Sequence, residues 1–223
     1  MKKMLKIKID LHVHTKYSDG SGDIKEILIE AYRKNLNGIA ITDHNTTVSL
    51  KKGKLEKYAK KLGLMIIPGI ELKTDAGHIL AIGVDVNLDL QKYVRVKYDE
   101  VLDWIRGFGG IVVIAHPALE INKSHKWIIN KPDALEVFNA SYPFKFMVNM
   151  VLKINSKIRL PLTAGSDAHN PKCVGNAYTI LEVEDMCIEE VLNAIKKGRT
   201  KPYGKISPLN NRIKLGLKHL KIM

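Results

Sequence analysis

Short apolar runs rich in Ile and Val punctuate the chain at Leu5–Leu11, Gly38–Thr42, Leu64–Ile70, His78–Val84, Gly110–Ala115, Ala134–Phe138, Leu160–Ala164 and Tyr178–Val183. Each has the length of a strand, and several are too uniformly apolar to leave one face in water. Longer amphipathic stretches studded with lysine lie between most of them: Ile24–Asn35, Leu50–Leu62, Leu90–Phe108, Phe144–Ser156 and Ile188–Lys197. This alternation predicts an α/β protein, a mostly parallel sheet with helices outside it. Asp23 is placed to cap the first helix, and Glu26 three residues on completes a capping box. No internal repeat or Pro/Gly/Ser linker interrupts the pattern, so one domain is expected. The basic stretch near the C-terminus, from Leu209 onward, reads as a last amphipathic helix covering it.

The histidines do not fall at random. Six of the eight, His12, His14, His44, His78, His116 and His169, sit at the ends of these runs or beside an Asp or Glu at such an end; His125 and His219 do not. Alternate residues of a strand share a face, so Asp10, His12 and His14 point one way. His-x-His at a strand end makes a two-toothed chelate, and burying it beside carboxylates for structure alone is costly. Asp19 follows in a loop turned by Gly20 and Gly22, placed to swing back over the strand end. In Thr42-Asp43-His44 we take His44 as a ligand and Asp43 as its support, because a ligating imidazole commonly donates its other N–H to a carboxylate or carbonyl. Only six residues separate Glu71 from His78. That is too few for a helical crossover, so the two runs should form a hairpin that returns His78 to the rim of Glu71.

His116 follows the next strand, and Asp167 and His169 repeat the spacing of His12 and His14. In Leu135–Asn139 alternation puts Glu136 and Phe138 on one face and Val137 and Asn139 on the other. Asn139 is read as a hydrogen-bonding residue at the rim, and Glu136 as support or structure. Six His, two Asp and one Glu then converge on one rim. This mixture suits Zn²⁺, Mn²⁺ or Fe²⁺ better than the all-oxygen sites of Ca²⁺ or Mg²⁺. With Glu71 able to bridge, the nine donors serve two or three ions once water is counted.

Composition narrows the choice of substrate. The chain has 223 residues, 45% hydrophobic and 26% charged, enough for one sizeable core. The net charge of +13 favours polyanions, phosphorylated substrates or acidic surfaces. At 6% aromatic residues, no aromatic-rich surface for stacking single-stranded nucleic acid is expected. Cys173 and Cys187 form no CxxC pair, so a reduced, cytoplasmic protein is the simple reading. The basic start lacks the apolar core of a signal peptide, and no apolar run approaches the ~20 residues of a membrane span. Gly107–Gly110 lacks a P-loop lysine, and neither a nucleophile elbow nor a His-Glu-x-x-His helix is present.

Taken in order, these residues resemble the PHP family, named for its polymerase and histidinol phosphatase members. The matching motifs are Asp10-Leu-His-Val-His-Thr with Asp19, Thr42-Asp-His44, Gly69-Ile-Glu71 with His78 and Ala115-His116-Pro, and Ser166-Asp167-Ala-His169. The stretch from there to Gly204 is similar to the family's C-terminal segment. The resemblance implies a distorted (β/α)7 barrel over residues 1–204, with a metal cluster at its C-terminal rim and a basic tail at 205–223. It implies one metal on His12, His14, Glu71 and Asp167, a second on Glu71, His78 and His116, and a third on Asp19, His44 and His169. Asp10, Asp43 and Asn139 would support these ligands.

The implied reaction is hydrolysis of a phosphate monoester, of a nucleotide or small phosphorylated metabolite, by a hydroxide held between two divalent ions. Glu71, Asp167 and His169 would be catalytic, the last two managing proton transfers. The short interval between His116 and Asp167 leaves little room for the helical cap of nucleotide-phosphatase-like members. The alternatives are a phosphodiesterase or nuclease on single-stranded nucleic acid, metal-assisted C–N hydrolysis, and a non-catalytic metal- or RNA-binding barrel subunit.

Overall fold

The computed structural model describes residues 3–51, 54–90 and 95–210. Nine strands among them form one sheet: β1 Leu5–Val13, β2 Gly38–Ile41, β3 Met65–Thr74, β4 Gly77–Ile82, β5 Ile111–Ile114, β6 Ala134–Asn139, β7 Leu162–Gly165, β8 Ala177–Val183 and β9 Thr200–Gly204. Their order is β7-β6-β5-β4-β3-β2-β1-β8-β9. β1, β2 and β3 run parallel. β4 then turns back as the hairpin partner of β3 and pairs antiparallel with β5, after which β5, β6 and β7 are parallel again. The helices are α1 Ile24–Arg33, α2 Lys54–Lys61, α3 Tyr98–Gly107, α4 Ser124–Ile129, α5 Phe146–Ile158 and α6 Ile188–Lys196.

The sheet curls until its ends nearly meet. Asp167 N donates to His12 O at 2.8 Å and His14 N to Ala168 O at 3.1 Å, stitching the exit of β7 to β1. Lower down, Ala164 N donates to Thr179 Oγ1 of β8 at 2.8 Å, and Thr200 Oγ1 of β9 donates to Leu162 O of β7 at 2.7 Å. The interior is filled by Ile7, Ile9, Leu11, Leu80, Ile82, Ile111 and Val113, onto which α6 lays Val191, Leu192 and Ile195. α1 and α2 cover β1 and β2 from outside, and α3 to α5 cover β3 to β7. The capping box of α1 is present, with Glu26 N to Asp23 Oδ1 at 3.0 Å and Asp23 N to Glu26 Oε2 at 2.9 Å.

Three expectations need correction. Nine strands replace the implied seven, because residues 177–204 form an antiparallel hairpin, β8–β9, beside β1. The apolar run at Tyr178–Val183 is therefore not a parallel strand; the link 166–176 is too short for a crossover. The expected helix at Leu90 begins only at Tyr98, whose N–H is held by Asp75 Oδ1 at 2.9 Å. The unassigned link after His116 contains α4. Beyond β9, Ser207 N donates to Ala140 O at 2.8 Å. The basic tail expected as a packed helix lies, from residue 211 on, outside the described residues. No helix among the described residues is long and apolar enough to cross a membrane.

Candidate metal centre

Parallel strands deliver their last residues to one rim, and the β3–β4 hairpin adds the start of β4 to it. In that hairpin Glu71 pairs with Leu80 and Lys73 with His78. Glu71 stands at the centre, only 1% exposed. Its two oxygens face different imidazoles. Oε1 lies 3.0 Å from His78 Nδ1 and 3.1 Å from His116 Nε2. Oε2 lies 3.2 Å from His12 Nε2, His14 Nε2 and His44 Nδ1.

Asp167 closes the cluster from β7, its Oδ1 3.5 Å from His12 Nε2, 3.2 Å from His14 Nε2 and 3.4 Å from His169 Nδ1. Asp19 reaches His169 Nε2 at 3.1 Å, His44 Nε2 at 3.8 Å and His14 Nδ1 at 3.9 Å. All nine residues singled out as ligands are thus brought together. Their donor atoms fall into three sets that could each hold an ion: His12, His14 and Glu71; Glu71, His78 and His116; and His14, Asp19, His44 and His169.

Surrounding groups fix this arrangement. Asp43 accepts from Thr15 N at 2.7 Å, Thr15 Oγ1 at 2.7 Å and Ser18 Oγ at 2.6 Å, so it holds the loop that carries Asp19. Asp10 accepts from the backbone of Ser166 at 2.9 Å and Gly175 at 2.7 Å, fastening β1 to the exit of β7. Asn139 donates to Asp167 Oδ2 at 3.3 Å. His116 and Asp167 have φ of 32° and 51°, the left-handed region that non-glycine residues enter only when their surroundings hold them there.

Glu136 is the residue whose weight the sequence understates. It accepts from His12 Nδ1 at 3.0 Å and from His116 N at 2.8 Å. Strict alternation separates it from Asn139, yet Asn139 Nδ2 donates to it at 2.9 Å. The register of β6 against β7 shifts between Glu136 and Phe138, which turns Asn139 to the same side.

The electrostatics call for positive charge. Burial penalises every ion here, yet His44, His12 and His116 hold Glu71 well below the usual carboxylate range, and His12, His14 and His169 do the same for Asp167. Burial opposes protonation of His12, but Glu136, Asp167 and Glu71 outweigh it and raise its pKa well above the ordinary value. Hydrogen bonds to Asp167 and Glu71 likewise overcome burial and carry His14 to about 10. His44 goes the other way, pushed by burial to about 3.

The donor set fits divalent cations. The His12 Nδ1–H is committed to Glu136, which leaves Nε2 as a lone pair facing His14 Nε2 at 3.0 Å and two carboxylates. The Nδ1–H of His169 donates to Asp167 O at 3.0 Å, freeing Nε2 in the same way. Buried His14 Nδ1 and His116 Nδ1 have no hydrogen-bond partner among the described residues. Lone pairs and carboxylates crowded together are reconciled by a proton or a cation, and mixed nitrogen and oxygen donors suit a divalent metal ion.

Residues 149–200 match the family model described as PHP-associated. The chain is 32% identical over 161 residues to the uncharacterized protein MJ1587 of Methanocaldococcus jannaschii, covering 66% of this chain and 90% of that one. It is 33% identical over 81 residues to the 5'-3' exoribonuclease Rnm of Escherichia coli, covering 34% of this chain and 28% of the enzyme. A crystal structure from Bacteroides vulgatus, of a two-domain protein containing a predicted PHP-like metal-dependent phosphoesterase, shares the fold. Its TM-score is 0.72 at 21% identity, over 91% of this chain and 66% of that one. A nearly closed barrel is the architecture this chain shares with that protein, and in this chain imidazoles and carboxylates gather at its rim. The chain is thus similar to the PHP family, in its match to the PHP-associated model over residues 149–200 and in its fold.

Proposed function

We propose that the chain hydrolyses a phosphate monoester, carried by a nucleotide or a small phosphorylated metabolite. The observation that carries this reading is Glu71, whose two oxygens face separate imidazole sets, as a residue shared between two cations would. His12, His14, Glu71 and Asp167 would hold one cation, Glu71, His78 and His116 a second, and Asp19, His44 and His169 a third. Bound divalent cations supply a more acidic water and neutralise charge developing on phosphoryl oxygens.

The protein's own groups do the rest. Glu136 and Asp43 fix the imidazoles and the Asp19 loop. Asp167 and His169, joined through the Asp167 carbonyl, would take a proton from the attacking water and return one to the leaving oxygen. The link from His116 to Asp167 is taken up by α4, β6, α5 and β7, which leaves little of it for a helical cap. A phosphodiester at the end of a single strand is the second reading, favoured by the likeness to Rnm and by the net charge of +13.

The test is phosphate release from nucleotides, phosphorylated metabolites and an aryl phosphate by Mn²⁺-loaded protein, with oligonucleotides in parallel. His12→Ala and Asp167→Ala should each lose more than about a hundredfold in kcat/KM, beyond the cost of removing a supporting residue. A wild-type rate surviving complete metal removal refutes the reading.

A further inference from the structure

The sequence offers few aromatic residues, yet the fold places two of them together on the segment that leaves the candidate centre after β6. Phe144 and Phe146 are 60% and 58% exposed. Their rings are stacked, with centroids 5.5 Å apart and planes inclined by 15°. Two exposed phenyl rings held nearly parallel leave aromatic surface open to solvent. Lys145, exposed between them, makes no ion pair among the described residues.

Their position follows from the topology. α5 follows β6, so its first turn begins at the rim where β6 ends. Asn139, the last residue of β6, bonds Asp167, and Ser141 Oγ donates to Asp167 O at 3.2 Å. Phe144 is three residues further on, so its Cα lies at most about 11 Å from that of Ser141. Tyr142 is buried between, its hydroxyl 3.5 Å from Ala118 N and from Glu136 O, which pins the loop to the rim. α5 also packs on the turn Pro117–Leu119, whose Leu119 is 53% exposed.

Resting on the phosphoesterase reading, we propose that Phe144 and Phe146 form a stacking platform for the nucleobase next to the phosphate held at the centre. Every base offers a π-face, so such a platform selects nucleotides over other phosphorylated metabolites without reading sequence. The cation of Lys145 complements the charge of the following phosphate. A sugar phosphate lacking a base gains nothing from the rings, and that difference is what the site would use to discriminate.

The experiment compares wild type, Phe144→Ala/Phe146→Ala and Phe144→Tyr/Phe146→Tyr. It measures kcat/KM on a nucleoside monophosphate and on ribose phosphate, and affinity for a short single-stranded oligonucleotide with non-hydrolysable terminal linkages. The alanine pair should lose about tenfold or more on base-containing ligands and nothing on ribose phosphate, while the tyrosine pair keeps wild-type values. A loss on the nucleoside monophosphate marks a free nucleotide as the occupant, and a loss confined to the oligonucleotide marks a strand end. An unchanged ratio of nucleotide to ribose phosphate together with unchanged oligonucleotide affinity overturns the proposal. So does a change in sedimentation behaviour with both unchanged, which would make the patch a subunit interface. Wild type that hydrolyses no phosphate ester defeats the phosphoesterase reading alone, because oligonucleotide affinity still judges the platform.

Discussion

Glu136 receives three donors on one buried carboxylate: His12 Nδ1, His116 N and Asn139 Nδ2. Two of those donors use Oε2. A glutamine there keeps one carbonyl oxygen and puts an NH₂ against donors that need an acceptor. Glu136→Gln should therefore weaken metal binding by about 10- to 100-fold, measured by competition with a chromophoric chelator. The cost to stability of the metal-free fold should be about 1–3 kcal/mol, measured by urea unfolding. Unaltered metal affinity would mean that Glu136 merely fills space.

The nine candidate ligands were legible because residue type and strand-end position coincide, as in His12 and His14. Glu136 was read as support or structure, but its pairing with Asn139 was hidden, since a register shift in β6 is invisible to a rule of strict alternation. Asp10 shows the same limit. Its place beside His12 suggested support of a ligand, and its Oδ1 accepts from His12 N at 3.3 Å, but it also takes the amides of Ser166 and Gly175, groups far away in sequence.

Among the elements, the seam between β7 and β1 leaves no room for an added methyl group. A Cβ on Gly165 would stand 2.4 Å from His12 Cβ and 2.7 Å from Glu136 Oε1. Gly165→Ala must push one of them away, and overpacking of this kind costs about 1–3 kcal/mol. Because His12 and Glu136 are the groups displaced, metal content should fall along with the unfolding midpoint. Purified variant protein assayed by elemental analysis and denaturant titration checks both; a loss of stability with full metal content would confine the seam to a structural role.

Connection length explains which elements could be read. It exposed the β3–β4 hairpin, since six residues cannot hold a crossover helix. The same reasoning applied to 166–176 identifies β8 as antiparallel. β9 stayed hidden because Thr200-Lys-Pro-Tyr-Gly is polar and broken by proline, and its pairing with β8 is a tertiary fact. α4 is six residues long, too short to show a periodic apolar face.

At the scale of the whole molecule, a chain of net charge +13 surrounds a rim lined by Asp19, Glu71 and Asp167. Once cations offset those carboxylates, the surface field works unopposed on an incoming anion and raises its local concentration. Salt weakens that field beyond a Debye length, about 8 Å at physiological ionic strength, so kcat/KM should fall as salt rises while metal content stays constant. The steepness separates the two substrate readings. A monoester presents one phosphate, so its dependence should be shallow. A single strand releases counterions at each phosphate the protein contacts, giving a slope of about −0.7 per contact in a plot of log affinity against log salt. Steady-state rates on a nucleoside monophosphate and binding isotherms on an oligonucleotide, both across a salt series, measure this directly. A steep oligonucleotide slope, lost together with the stacking contribution in the Phe144→Ala/Phe146→Ala variant, would identify a strand that lies across the rim. A slope no steeper than that of the monoester would confine recognition to a single nucleotide.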